Sequence, residues 1–130
     1  MKRWQDSTVI SYADNGYVEL LTGFRSEGPM EREAIINRAI QGTSFHKLLH
    51  SCNEIEELKG YDTIAVGQIH DDILFDGPKS ERDKHTKDVS DIMIDLPWDF
   101  SKGIMEMVEW KKGPNWKDME EYTKIARINT

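Results

Sequence analysis

Between Gly28-Pro29 and Cys52 the chain repeats apolar side chains at helical spacing over its longest uninterrupted stretch. Ile36, Ile40, Leu48 and Leu49, with Ile35 and Ala39 beside them, fall on one side of a 3.6-residue winding. Glu33, Asn37 and Gln41 recur every four residues and so share another face. The spacing predicts a helix over about 29–52, with Pro29 at its start and acidic Glu31 and Glu33 in its first turn. Gly42 lies in the middle of it, where glycine costs on the order of 1 kcal/mol relative to alanine. Something is therefore expected to pack close to the backbone at that point.

The flanking segments are short and mixed. Residues 1–15 read as a helix with Trp4, Val9 and Tyr12 near one face, stopped by Asp14-Asn15-Gly16. Tyr17 to Leu21 reads as a short strand that turns at Gly23. Thr63 to Ile69 is rich in β-formers, Ile73-Leu74-Phe75 is a second apolar run, and a hairpin joining them puts His70-Asp71-Asp72 at its tip. Ser80 is the expected cap of a helix running to about Leu96, with Val89, Ile92 and Met93 inward and Pro97 closing it. Ile104 to Trp110 reads as a last strand, Gly113-Pro114-Asn115-Trp116 as a turn, and the remainder as a short polar tail. This order is α+β rather than doubly wound. In 130 residues there is room for one domain, and no repeat or linker divides it.

No apolar run approaches the roughly 18 residues needed to span a membrane. The basic opening Met1-Lys2-Arg3 is followed by no apolar stretch, so a cytoplasmic location and no membrane partner are expected. Cys52 is the single cysteine, which leaves no internal disulfide and makes it a small buried hydrophobe by default. Trp4, Trp98, Trp110 and Trp116 are expected to be core or packing residues. The net charge of −7 argues against an extended nucleic-acid surface, because neutralising phosphates takes Lys and Arg. Any such site must be local, or another protein must supply the basic surface.

Three clusters can carry chemistry. Adjacent acids are usually solvated turn residues, but Asp71 and Asp72 are bracketed by β-runs that hold the turn, and carboxylate oxygens suit Mg²⁺. Asn37 and Gln41 are amides one helical turn apart, either a solvated face or a pair able to read base edges. His46 and His50 have zinc-chelating spacing but lack the glutamate of a metalloprotease helix, since Lys47 follows His46.

Four segments in one order resemble the C-terminal end of family A, DNA polymerase I-like, DNA polymerases. Gly16 to Arg25 is similar to the hairpin that precedes the family's long palm helix, and Ile36-Asn37-Arg38-Ala39-Ile40-Gln41-Gly42-Thr43 resembles that helix's Asn-x-x-x-Gln-Gly-Thr signature. Gln68-Ile69-His70-Asp71-Asp72 resembles motif C, usually Val-His-Asp-Glu, and Gly113-Pro114-Asn115-Trp116 the Gly-x-Asn-Trp near the polymerase C-terminus. The resemblance covers nearly the whole chain. It implies a partial polymerase palm: helix and hairpin over 1–28, the long helix over 29–52 on a small antiparallel sheet, and the motif C hairpin, a helix and a C-terminal strand over 60–130.

It also implies roles. Asp71, with Asp72, would bind the Mg²⁺ ions of nucleotidyl transfer, and His70 would lie by the primer terminus. Asn37 and Gln41 would contact the minor groove of primer–template DNA, which presents acceptors at similar places for every base pair. Arg25 and Arg32 are the expected basic contacts to DNA, Arg32 as the neighbour of Glu33, which stands where the family commonly has arginine. The family's chemistry is in-line attack of the primer 3′-hydroxyl on the α-phosphate of a dNTP, with paired Mg²⁺ ions stabilising the attacking and leaving oxygens.

Asp72 departs from the family glutamate by one methylene. Motif A, with the other metal-binding aspartate, and the fingers helix are absent from the sequence. The chain is thus expected to be inactive alone, as the C-terminal piece of a phage-type split polymerase that docks onto a larger fragment carrying those parts. The alternatives are a non-catalytic remnant or binding module that keeps the palm fold, and a small metal-dependent hydrolase built on His70, Asp71 and Asp72.

Overall fold

The computed structural model describes residues 1–130. The elements are α1 (Lys2–Asn15), β1 (Tyr17–Glu19), β2 (Arg25–Glu27), α2 (Arg32–Glu56), β3 (Ile64–Ile69), β4 (Asp72–Asp76), α3 (Arg82–Ile94), β5 (Met105–Lys112) and β6 (Glu120–Ile128). The strands form three separate antiparallel pairs, β1–β2, β3–β4 and β5–β6. The architecture is α+β, with a long helix and small antiparallel sheets. The chain divides into two compact units, Met1–Leu49 and His50–Thr130, and the boundary falls inside α2 rather than at a linker.

In the first unit, α1 ends where predicted. Gly16 takes the left-handed conformation (φ 78°) that a side chain disfavours, and its N–H bonds the Tyr12 carbonyl at 2.8 Å. The Tyr12 hydroxyl donates to the Gly28 carbonyl at 2.5 Å and accepts from the Met30 N–H at 3.0 Å. That bond holds Met30 outside the helix, so α2 begins at Arg32, three residues later than the sequence suggests. Its C-terminus runs one turn beyond Cys52, because Ile55 gains a buried site.

The buried side of α2 differs from the one the spacing predicts. Val18, Leu20 and Ile35 form the core, with Val9, Tyr12, Met30 and Ala39 against it, whereas Ile40 is 55% exposed and Leu49 45%. The β1 hairpin decides this by laying Leu20 over Gly42. A Cβ on Gly42 would lie 3.0 Å from a Leu20 methyl, which is the close approach that the mid-helix glycine suggested. Thr43 is buried on the same side because its hydroxyl donates to the Ala39 carbonyl at 2.8 Å.

In the second unit, β3 and β4 pair from Ile64↔Asp76 to Ile69↔Asp72, with a bulge between Ala65 and Gly67. Ser80 does not cap α3; it lies in a 3-10 turn, Lys79–Glu81, that precedes the helix. The Glu81 carboxylate instead accepts from the N–H groups of Asp62 and Thr63 and from the Thr63 hydroxyl (2.6 Å), tying the start of α3 to the start of β3. Those bonds hold the Glu81 carboxyl below the usual carboxylate range. Inward from α3 point His85, Thr86, Val89, Ser90 and Ile94, while Ile92 and Met93 are half-buried. Trp110 donates its indole N–H to Ser90 at 2.8 Å and stacks on Phe75 at 5.8 Å, so hairpin, helix and β5 share one aromatic seam.

The segment after Trp116 is not a polar tail. It returns as β6 along β5, from Lys112↔Glu120 to Met105↔Ile128. Arg127 from β6 bonds Asp91 of α3 and Asp95, which caps that helix, and the Asn129 side chain is fully buried. The strand was hidden because polar Arg127, and Asn129 just past its end, take inward positions and break the apolar alternation. Trp98 and Trp110 pack as expected, but Trp4 and Trp116 are 45% and 61% exposed. Cys52 is half-buried, and burial pushes its thiol pKa up.

Candidate functional site

The acidic tip is tighter than the sequence implies. Asp72 is already the first residue of β4, paired with Ile69, so the turn consists of His70 and Asp71. Two-residue hairpin loops need positive φ at the first or both positions. His70 has φ 55°, and no other non-glycine residue in the chain has a positive φ. The Gln68 side-chain amide donates to the His70 carbonyl at 2.7 Å and fastens the turn from within the motif. Strained conformations of this kind persist only where the surroundings over-determine them, and they concentrate at functional sites.

His70, Asp71 and Asp72 are all exposed. Asp71 and Asp72 line one side of a cavity of about 290 Å³, with Met93 of α3 and Met107, Glu109 and Trp110 of β5 among the residues around it. Glu109 was not a sequence candidate. Strand alternation gives it an outward position, but the packing of β5 beside the hairpin is what adds a third carboxylate to this groove. Its charge is met across the strand pair by Lys124 at 2.9 Å.

Magnesium takes hard oxygen ligands in a near-octahedral shell. Asp71 and Asp72 offer two neighbouring carboxylates, and nowhere in the chain do three or more His, Cys, Asp or Glu side chains come together to hold an ion. The residues of this chain alone therefore do not make a complete magnesium site. His46 meets Thr22 and Phe24, and His50 sets its ring edge against Trp98 at 5.1 Å.

The remaining sequence candidates lie in the first unit. Asn37 and Gln41 are exposed on α2, and their amides make no hydrogen bond within the chain. Arg25 is held by Glu19 at 2.8 Å and lies over the Tyr17 ring at 4.4 Å. Arg32 pairs with Asp6 of α1 at 2.5 Å. Both arginines thus already have anionic partners, and a phosphate would have to compete for them.

No protein-family model matches the chain, and neither does any solved structure. The chain is similar to DNA polymerase I of Chloroflexus aurantiacus, 27% identical over 133 residues. That match covers 92% of this chain and 14% of the relative, so the chain spans about a seventh of the length of the protein it resembles. The similarity supports a distant relationship to one region of DNA polymerase I.

Proposed function

We propose that this chain is the C-terminal palm portion of a family A, template-directed DNA polymerase. The observation that carries the reading is the strained two-residue turn that presents Asp71 beside His70, in a chain distantly similar to DNA polymerase I over most of its length. Asp71 is one of the metal-binding carboxylates, with Asp72 in the position of the family glutamate. The missing ligand, an aspartate on motif A, comes from a larger polypeptide that also carries the fingers. Asn37 and Gln41, with free amides on an exposed helix face, contact the minor groove of the primer–template duplex. Arg25 and Arg32 contribute to backbone contacts. The partner also brings the dNTP pocket, and the assembly works in the cytoplasm, in a bacterial host where the source is a phage.

Two further observations support the dependence on a second polypeptide. The chain gathers too few ligands for its own metal site. Ile64 and Val66 of β3 stand 60% and 56% exposed beside the motif, apolar surface of the kind an interface covers.

Primer extension after co-expression with the fragment carrying motif A and fingers tests the reading. Extension is expected for the pair and for neither piece alone. Asp71→Asn abolishes it by a factor of 10³ or more, on the order of the largest single-residue electrostatic effects, without loss of association. No association, or extension indifferent to Asp71→Asn, overturns the proposal. A non-catalytic remnant is the second reading, favoured by the short Asp72 side chain. It predicts association and DNA binding with no extension from any partner.

A further inference from the structure

The second unit holds a larger cavity, of about 490 Å³, bounded by the end of α2, by β3 and β4 and by α3. That lies within the range of roughly 300–1,000 Å³ common for small-molecule sites. Ile55, Leu58, Ile73 and Phe75 supply apolar walls. Most polar atoms in the lining are already committed: the Tyr61 hydroxyl donates to Asp88 and accepts from Lys84, and the Thr63 hydroxyl donates to Glu81.

His85 is different. It is 5% exposed, its ring stands edge-on to Tyr61 at 5.0 Å and to Phe75 at 4.9 Å, and it makes no hydrogen bond. Burial lowers its pKa, so the imidazole is neutral and keeps one bare nitrogen acceptor. Cys52, also in the lining, has a thiol pKa raised by burial and stays protonated. The one carboxylate of the lining, Glu56, belongs to an exposed residue. The walls therefore favour an uncharged aromatic guest, and an imidazole with no hydrogen-bond partner in the chain offers such a guest an acceptor.

We propose that this cavity binds a small, uncharged heteroaromatic molecule that packs against Ile73 and Phe75 and donates an N–H to His85. Neither His70 nor Asp71 takes part in this site, although Ile64 of its lining also belongs to the apolar face assigned above to the second polypeptide. Because Ile73 and Phe75 belong to β4, occupancy also stiffens the strand that begins at Asp72.

Indole is the probe, and 1-methylindole, which lacks the N–H, is its control. In amide-resolved NMR titrations of the full chain, indole is expected to give saturable shifts at Ile73, Phe75 and His85 and to bind about tenfold tighter than 1-methylindole. His85→Phe keeps the aromatic packing and should make the two ligands bind alike. Cys52→Phe fills the cavity and should bind neither. Alkylation of Cys52 by iodoacetamide in the unmodified chain, slowed by saturating indole, checks occupancy without any substitution. Absence of saturable binding, a preference for indole that survives His85→Phe, or alkylation unaffected by indole each overturns the proposal.

Discussion

At the scale of single residues, His70 and His85 stand out for opposite reasons. His70 is exposed and conformationally strained at the tip of the hairpin. Glycine tolerates positive φ without steric penalty, so His70→Gly should raise the thermal midpoint, by the equivalent of about 1 kcal/mol. If the imidazole serves the primer terminus, the same variant loses extension activity while gaining stability. A stability loss, seen by calorimetry, would show that the side chain contributes more than the strain costs. His85 is buried and its pKa is lowered by that burial, with Glu81 and Asp88 opposing the shift. A folded pKa below the ordinary 6.5 means that protonation favours the unfolded chain. The contribution of neutral His85 is therefore fully present above about pH 6.5 and fades as pH falls from there through the folded pKa. Thermal midpoints measured against pH should fall through that window in the natural chain, and the fall should be smaller in His85→Phe. Equal pH profiles would remove His85 from the account.

At the scale of elements, α2 and the C-terminal hairpin show packing overruling pattern. Gly42→Ala gains about 1 kcal/mol of helix propensity. It also forces a methyl to within 3.0 Å of Leu20, a side chain that is itself buried in the core. Overpacking of that kind costs typically 1–3 kcal/mol, so a net loss of up to about 2 kcal/mol is expected in chemical denaturation. A gain would mean that Leu20 moves aside freely. The apolar stripe of α2 was legible as helical, but its buried side was not, because Ile40 and Leu49 differ from Ile35 only in what lies opposite them. In β6 and the residue just past it the difficulty was reversed. Arg127 and Asn129 look like surface residues until Asp91, Asp95, Leu96 and Ser101 are seen to receive them.

At the scale of the whole molecule, the charge of −7 weighs against extended contact with nucleic acid. Arg25 and Arg32 already satisfy Glu19 and Asp6, so few phosphate contacts are available. The chain alone is expected to bind primer–template no more tightly than the roughly 10⁻⁴–10⁻⁶ M of non-specific association, with a shallow salt dependence. Fluorescence anisotropy across a salt series checks this. Tight binding with a steep slope would show that the chain carries a basic DNA surface of its own.

The sequence by itself determined local structure: the helix stop at Gly16, and separately the β3–β4 pair with the acidic turn between its strands. These follow from short-range rules, since glycine conformation, β-propensity and hydrophobic spacing act within a few residues. Tertiary structure decided which face of α2 is buried, that the final segment is a strand, and that Glu109 joins Asp71 and Asp72 around one groove. It also placed His85, unbonded, in the wall of a cavity. Each of these depends on residues tens of positions apart in the chain, and only their packing fixes burial, hydrogen-bond partners and local charge.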